Sequence, residues 1–350
     1  MNEPQPTDAT TPPQSTNCIT DWSAVQLAKR IAERQVSCRE VMEAYLDQIE
    51  RFNPAVNALV ALQPREQLLA QADARDGRIA RGEPLGWMHG FPAAPKDLAS
   101  VAGMPSTLGS PLFRQQVPKT DSVSVARMRE SGAIFIGRSN TPELGLGSHT
   151  YNPIYGTTGN AFDPSKSAGG SSGGAAVALA LDMLPVADGS DMMGSLRNPA
   201  GWNNVFGFRP SLGRVPYGPS PEVFVSQFST DGPMGRSVAD VAMLLSVQAG
   251  PDSRMPLALA DDPAQFTQRL DRSFDGLRIG WMGDFNGHLA TEPGVLDCCT
   301  RALDSFKTMG GAVEAAQPAF QMERLWRAWI ALRSFQVAGV YGAHYADPNR

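Results

Sequence analysis

The sequence predicts an α/β fold, and three observations carry that expectation. Past a polar start, the chain up to Gly82 repeats its apolar positions at helical spacing. Beyond Gly82 the texture changes to short apolar runs broken by Gly and Pro, such as 132–137 and 184–187. Helical stretches separate those runs, the clearest being Ala175-Ala176-Val177-Ala178-Leu179-Ala180-Leu181. Strands that alternate with helices argue for layers of both packed on one core.

Taken in order, residues 1–19 are rich in Pro, Thr and Gln and poor in large apolar groups, the composition of a disordered tail. One domain is expected over 20–350. A helical period opens at Asp21 with Val25, Leu27 and Ile31. Ser37 caps a second helix, and Glu40 three residues on completes a capping box. Val41, Met42, Tyr45, Leu46 and Ile49 share one face of it, with Pro54 expected after its end. A third helix is expected from Pro64 to Ala80. These helices read as a packing layer without chemistry.

A helix near Ser122–Ser131 should lead into a buried strand over 132–137, and the Ala-rich helix into a strand over 184–187. Near Leu277–Trp281 a further strand should feed a helix from about 293 to 309. The stretch 260–275 reads as an exposed loop or surface helix. Over 321–345, Leu325, Trp326, Trp329, Ile330 and Leu332 make a broad apolar helix.

Hydrophobic residues make up 42% and charged residues 19% of the chain, ordinary values for a globular protein. A net charge of −5 without a dense basic block argues against nucleic acid as a partner. Cys18, Cys38, Cys298 and Cys299 lack metal-type spacing and favour a reducing compartment. No charged-then-apolar leader and no bilayer-length apolar stretch is present, so a cytoplasmic protein without membrane contact is expected.

The segment "SAGGSSGGAAVALALDML", 167–184, poses the functional question. Its Gly/Ser half has the composition of a tether, yet a buried helix follows at once. Glycines opening a helix let backbone or ligand come close and leave N–H groups pointing outward. Metal chemistry is set aside, because His89, His149, His288 and His344 are scattered and no HExxH or CxxC occurs. The G-x-S-x-G letters can be read around Ser171 or Ser172, but "NAFDPSKSA" before them is polar and Pro-broken where an elbow needs a strand. A phosphate-binding P-loop fails for want of G-K-[ST]. Serine with lysine remains. Lys96 lies amid Pro, Ala and Leu, and "GSDMMGSLRNPAG", 189–201, holds a second Gly-Ser step with Asp191 and Arg197. A solvated lysine titrates near ~10.4, and burial lowers that value enough to make it a base. A lysine snorkelling to the surface fits the same letters.

Three segments in order, "PAAPKDLASVAGMPSTLGS", "SAGGSSGGAAVALA" and "GSDMMGSLRNPAG", resemble the amidase signature family of Ser-Ser-Lys hydrolases. The connecting "GAIFIGRSNTPELGLGSHTYNPIYGTTGNAFDP" is similar to it as well. The resemblance implies an α/β/α core with a mixed β-sheet behind an N-terminal helical layer. It implies Ser195 as the acylated nucleophile, Ser171 as a bridging serine behind a cis peptide, and Lys96 as base. The backbone N–H groups of Met192, Met193, Gly194 and Ser195 match its oxyanion hole. Arg197, Asp191 and Ser172 match residues that brace the loops. The activity implied is hydrolysis of a carboxylic amide through an acyl-enzyme, without cofactor or metal; the mostly apolar residues that can be named for the pocket favour a small-molecule amide with an apolar acyl or aryl part.

Three departures accompany the match. Met193 stands where a glycine is usual, so an ordinary backbone is expected there, with the Met192 and Met193 side chains lining the acyl pocket. Pro95 replaces an aliphatic residue and lacks a donor, so its strand must not need that bond. The family's fold also continues past residue 350, so the domain is expected to be incomplete at its C-terminus, and self-association, as in a homodimer, is then expected. Two other functions share the motifs: the glutaminase component of the glutamyl-tRNA(Gln) amidotransferase, and an inactive amidase-like scaffold.

Overall fold

A computed structural model describes residues 18–83, 86–220, 222–225, 227–268 and 270–346. Residues 1–17 of the expected polar tail lie outside that set, and Ile19 already opens a 3₁₀ turn, Ile19–Asp21, that packs on the core. The chain forms two compact units, divided between Thr267 and Gln268.

In the first unit the helical layer comprises α1 (Ala24–Ala32), α2 (Cys38–Val56) and α3 (Arg65–Ala80). Capping boxes start two of them: Ser23 with Gln26 on α1, and Ser37 with Glu40 on α2. Each satisfies two of the donors that a helix start leaves unpaired. The α2 face expected from spacing is the buried one, from Val41 to Ile49. Pro54 is a correction, because it lies inside α2. The helix runs on to Val56 and stops on Asn57, left-handed at φ 51°, whose N–H reaches Asn53 O at 2.7 Å.

The strands are short and pair in both senses. β1 (Leu59–Val60) runs antiparallel to β4 (Arg138–Ser139), and β2 (Pro92–Ala93) runs parallel to β3 (Ile134–Phe135). The helix α4 (Val123–Glu130) precedes β3, as expected. A small hairpin joins β5 (Tyr151–Asn152) to β6 (Gly156–Thr157). The Ala-rich helix α5 (Gly173–Ala180) is buried from Gly173 to Leu179. After it, β7 (Val186–Asp191) pairs along its whole length with β9 (Thr230–Gly235), which also pairs with β8 (Phe206–Gly207). The short α6 (Arg197–Trp202) and the longer α7 (Val238–Gln248) also belong to this unit. The strand expected over 184–187 begins only at Val186 and extends through the polar letters "DGSD", because the β9 ladder continues alongside them.

In the second unit β10 (Arg278–Trp281) pairs in parallel with β11 (Ala312–Ala315), and α8 (Val295–Thr308) supplies the crossover that parallel strands need. The helix α9 (Met322–Tyr345) follows. The stretch expected to be a loop or surface helix contains a 3₁₀ turn at Pro263–Thr267, within the first unit.

The glycine run is core. Residues 168–179 are all buried. A Cβ on Gly174 would stand 2.3 Å from Asn140 N and 2.5 Å from Ala58 O, both backbone atoms that cannot step aside alone. Gly174→Ala is therefore expected to destabilise the fold by roughly 1–3 kcal/mol, read as a lower urea midpoint. An unchanged midpoint would show that the α5 backbone has room to move.

Candidate active site

Lys96 follows β2 and is tied to β4 through its backbone. It forms a parallel bridge with Ser139, in which Ser139 N donates to Pro95 O (3.2 Å) and Asp97 N to Ser139 O (3.1 Å). Pro95 contributes only an acceptor, which is why a residue without N–H is tolerated there. The buried Arg138 guanidinium fixes the turn from below, donating to Pro95 O (3.0 Å) and Lys96 O (2.7 Å). Asp97 balances its charge at 3.8 Å.

The Lys96 side chain is 1% exposed, so the snorkelling alternative is excluded. Its Nζ donates to Ser171 Oγ at 2.7 Å, Ser172 Oγ at 2.8 Å and Ser190 Oγ at 3.1 Å. These hydroxyls come from separate places in sequence: the start of α5 supplies two, and β7 the third. Burial pushes the amine down to about 7, against the opposing pull of Asp188, Asp231 and Asp191. A full ammonium would use all its donors on these hydroxyls; a neutral amine has two donors and one lone pair left to accept a proton.

The run before α5 is shaped for this contact. The Gly170–Ser171 peptide is cis. Gly169 adopts φ 73°, and a Cβ there would meet Pro199 Cα at 2.9 Å. The α6 end of the segment is therefore packed directly on the serine run.

Ser195 lies just before α6 and is part-buried. Its carbonyl accepts the Ser172 N–H at 3.2 Å, which ties the two serine segments together. The turn that presents it is built around Asp191. This carboxylate accepts Gly194 N (2.7 Å) and Leu196 N (3.1 Å), and a two-toothed contact from Arg197 at 3.0 and 3.1 Å. Arg209 adds a second cation at 3.6 Å. Burial raises the Asp191 carboxyl, but Arg197 and the two N–H donors outweigh it and hold the group below its ordinary value.

Some expectations need correction. Of the four expected oxyanion donors, the Gly194 N–H already has a partner, since it donates to Asp191 at 2.7 Å. Ser172 does more than brace a loop, since it touches the amine itself. The left-handed residue of the turn is Gly194 (φ 117°), leaving Met193 an ordinary backbone as expected. The Met193 side chain is 60% exposed and Met192 part-buried, so Met193 does not seal a pocket wall. Sequence reasoning missed Ser190, Asp188, Asp231, Arg138 and Arg209. Alternation along β7 offered a signal for the first two, because 188 and 190 share one face; the others carry none.

The family model for Amidase matches residues 40–341. The chain belongs to the amidase signature family. An acylamidase from Rhodococcus erythropolis is 35% identical over 315 residues, 88% of this chain and 65% of that protein. A glutamyl-tRNA(Gln) amidotransferase subunit from Acidothermus cellulolyticus is 38% identical over 303 residues, 85% of this chain and 59% of that protein. The chain thus spans about three-fifths of these relatives' length. Among solved structures, a bacterial aryl acylamidase of the amidase signature family superposes with a TM-score of 0.86 at 32% identity, covering 93% of this chain and 67% of that one. The peptide amidase of Stenotrophomonas maltophilia gives 0.74 at 29% identity, covering 84% and 62%. As in the amidase signature fold, helices pack with strands of both parallel and antiparallel pairing. Among the described residues no helix is long and apolar enough to cross a membrane, and no cluster of three His, Cys, Asp or Glu is arranged for a metal ion.

The Asp191 hub yields a stability test. A carboxylate whose folded pKa lies below the unfolded value stabilises fully above about pH 4 and loses that contribution as pH falls through the folded value. Asp191→Asn should cost about 1–3 kcal/mol at neutral pH and should flatten the fall in stability below about pH 4. Urea melts across that range check both, and an unchanged acid slope would remove the hub from the account.

Proposed function

We propose that this chain hydrolyses carboxylic amides, with Ser195 as nucleophile, Ser171 as proton bridge and Lys96 as base. The observation that carries the reading is the buried Lys96 amine held 2.7 Å from Ser171 Oγ. Neutral Lys96 accepts the Ser171 hydroxyl proton while Ser171 takes that of Ser195, whose Oγ bonds to the amide carbonyl carbon. The resulting oxyanion is met by the N–H groups of Met192, Met193 and Ser195. As the C–N bond breaks, the proton returns through Ser171 to the leaving nitrogen. Water then attacks the acyl ester by the same relay, releasing the acid and restoring the Ser195 hydroxyl. Ser172 and Ser190 hold the amine in place, and Asp191 with Arg197 holds the Ser195 turn.

The substrate we assign is a small amide with an apolar acyl or aryl part. The likeness to an acylamidase and to an aryl acylamidase supports it. An aromatic pair also borders the serine run. His149 and Trp202 rings lie 6.0 Å apart, and the His149 backbone abuts Gly170. Four free cysteines support a reducing, cytoplasmic setting. The likeness to amidotransferase subunits favours one second reading, a glutaminase, which glutamine hydrolysis appearing only with a partner protein would identify.

Replacing Ser195, Ser171 or Lys96 by Ala should lower kcat/KM on an aryl acylamide by about three orders of magnitude or more. A fluorophosphonate should label the wild type and fail on Ser195→Ala. Labelling absent from the wild type would identify an inactive scaffold. Because Lys96 must be uncharged, turnover should rise as pH passes through about 7.

A further inference from the structure

Lys96 is surrounded by more acid than the relay uses. From β7 it is faced by Asp188 and Asp191, from β9 by Asp231, and from β4 by Arg138, with Asp97 beside it in sequence. Several of these charges are already paired. Arg138 sits against Asp97 at 3.8 Å, and Arg197 and Arg209 hold Asp191. Asp188 and Asp231 have no such salt bridge among the described residues. Asp188 is 5% exposed, and both its oxygens lie 3.3 Å from the Lys96 backbone N–H. Asp231 stands opposite Ser190 in the β7–β9 ladder, and Ser190 is one of the hydroxyls on the amine. Ser124 on α4 donates to Asp231 Oδ2 at 3.2 Å.

Charge counting gives this arrangement a use. An ammonium with two carboxylates has a net charge of −1. A neutral amine with one carboxylate and one carboxylic acid has the same net charge and holds the same number of protons, but buries two fewer charges. Desolvation favours the second arrangement, because each buried ion is costly, while the attraction between ammonium and carboxylates favours the first. The negative charge that the two carboxyls carry therefore decides how tightly the amine keeps its proton.

We propose that Asp188 and Asp231 form a charge-balancing pair for Lys96 and together set the pH at which it becomes a base. Both are positioning residues, since neither touches a reacting atom of the relay. The directions of titration agree with the geometry. Burial, then the neighbouring Asp188 charge, pushes Asp231 up to about 7, the range to which burial brings Lys96 down. Burial also raises Asp188.

The inference rests on Lys96 being the base, and the test separates the two claims. The rate of Ser195 labelling by a fluorophosphonate is followed on the full chain from about pH 5 to about pH 9, an interval that brackets ordinary His and Cys titration. Removing a negative neighbour disfavours the ammonium, so Asp231→Asn and Asp188→Asn should each move the acid limb down by about one unit. The double variant should move it further, and Asp231→Glu should restore it towards wild type. Thermal melts confirm folding, and Asp188→Asn carries the same readout should Asp231→Asn fail to fold. A limb that stays in place in folded variants, or a lower plateau without a shift, overturns the pairing. Wild-type labelling that needs neither Ser195 nor Lys96 would instead overturn the hydrolase reading.

Discussion

An amine taken out of water must find partners for its hydrogens and must shed much of its affinity for a proton. At Lys96 both conditions are met by three serine hydroxyls and no carboxylate within hydrogen-bond reach of Nζ among the described residues. A direct carboxylate contact would have held the ammonium charged; hydroxyls satisfy its geometry without fixing its charge. Much of the first unit follows from that choice. The hydroxyls must converge from two distant segments, so α5 and β7 have to be packed closely enough for their ends to share one atom.

Close packing explains the glycines. Side chains between α5 and the backbone of Ala58 and Asn140 would push the helix start outward, and with it Ser171 and Ser172. The same holds at Gly189, where a Cβ would stand 2.7 Å from Ser172 Oγ and displace the serine from the amine. Composition alone cannot distinguish this from a flexible tether, since both uses select the same small residues. Context separates them: a tether has no reason to run into a buried helix.

Much of the fold was legible because its signals are local. Capping boxes, the apolar face of α2, and the strand-helix alternation depend on neighbours in sequence. The polar second half of β7 was hidden, because its pairing with Thr230–Gly235 is visible only once the chain has folded. Pro54 reads as lying past the helix end for a related reason, since the cap that ends α2, Asn57, comes only three residues later. At the candidate site, Lys96, Ser171 and Ser195 are legible through three ordered motifs, and the structure brings the first two into contact. Arg138 and Asp231 were hidden because an arginine after a strand, or an aspartate before Gly-Pro, reads as a surface charge until burial is known.

The Ser195 turn shows how a departure from the usual pattern is absorbed. A methionine at 193 would be costly if the chain had to turn left-handed there. The structure moves that conformation wholly onto Gly194, at φ 117°, and locks it with the Asp191 carboxylate on the Gly194 and Leu196 N–H groups. The lock has a chemical consequence. In the reaction we propose, a carboxylate that takes the Gly194 donor leaves a substrate oxygen fewer N–H groups, but ties down the backbone on either side of it. Stabilisation of an oxyanion depends on donors fixed in place before charge develops, so a smaller, stiffer set is a workable exchange for a larger, looser one.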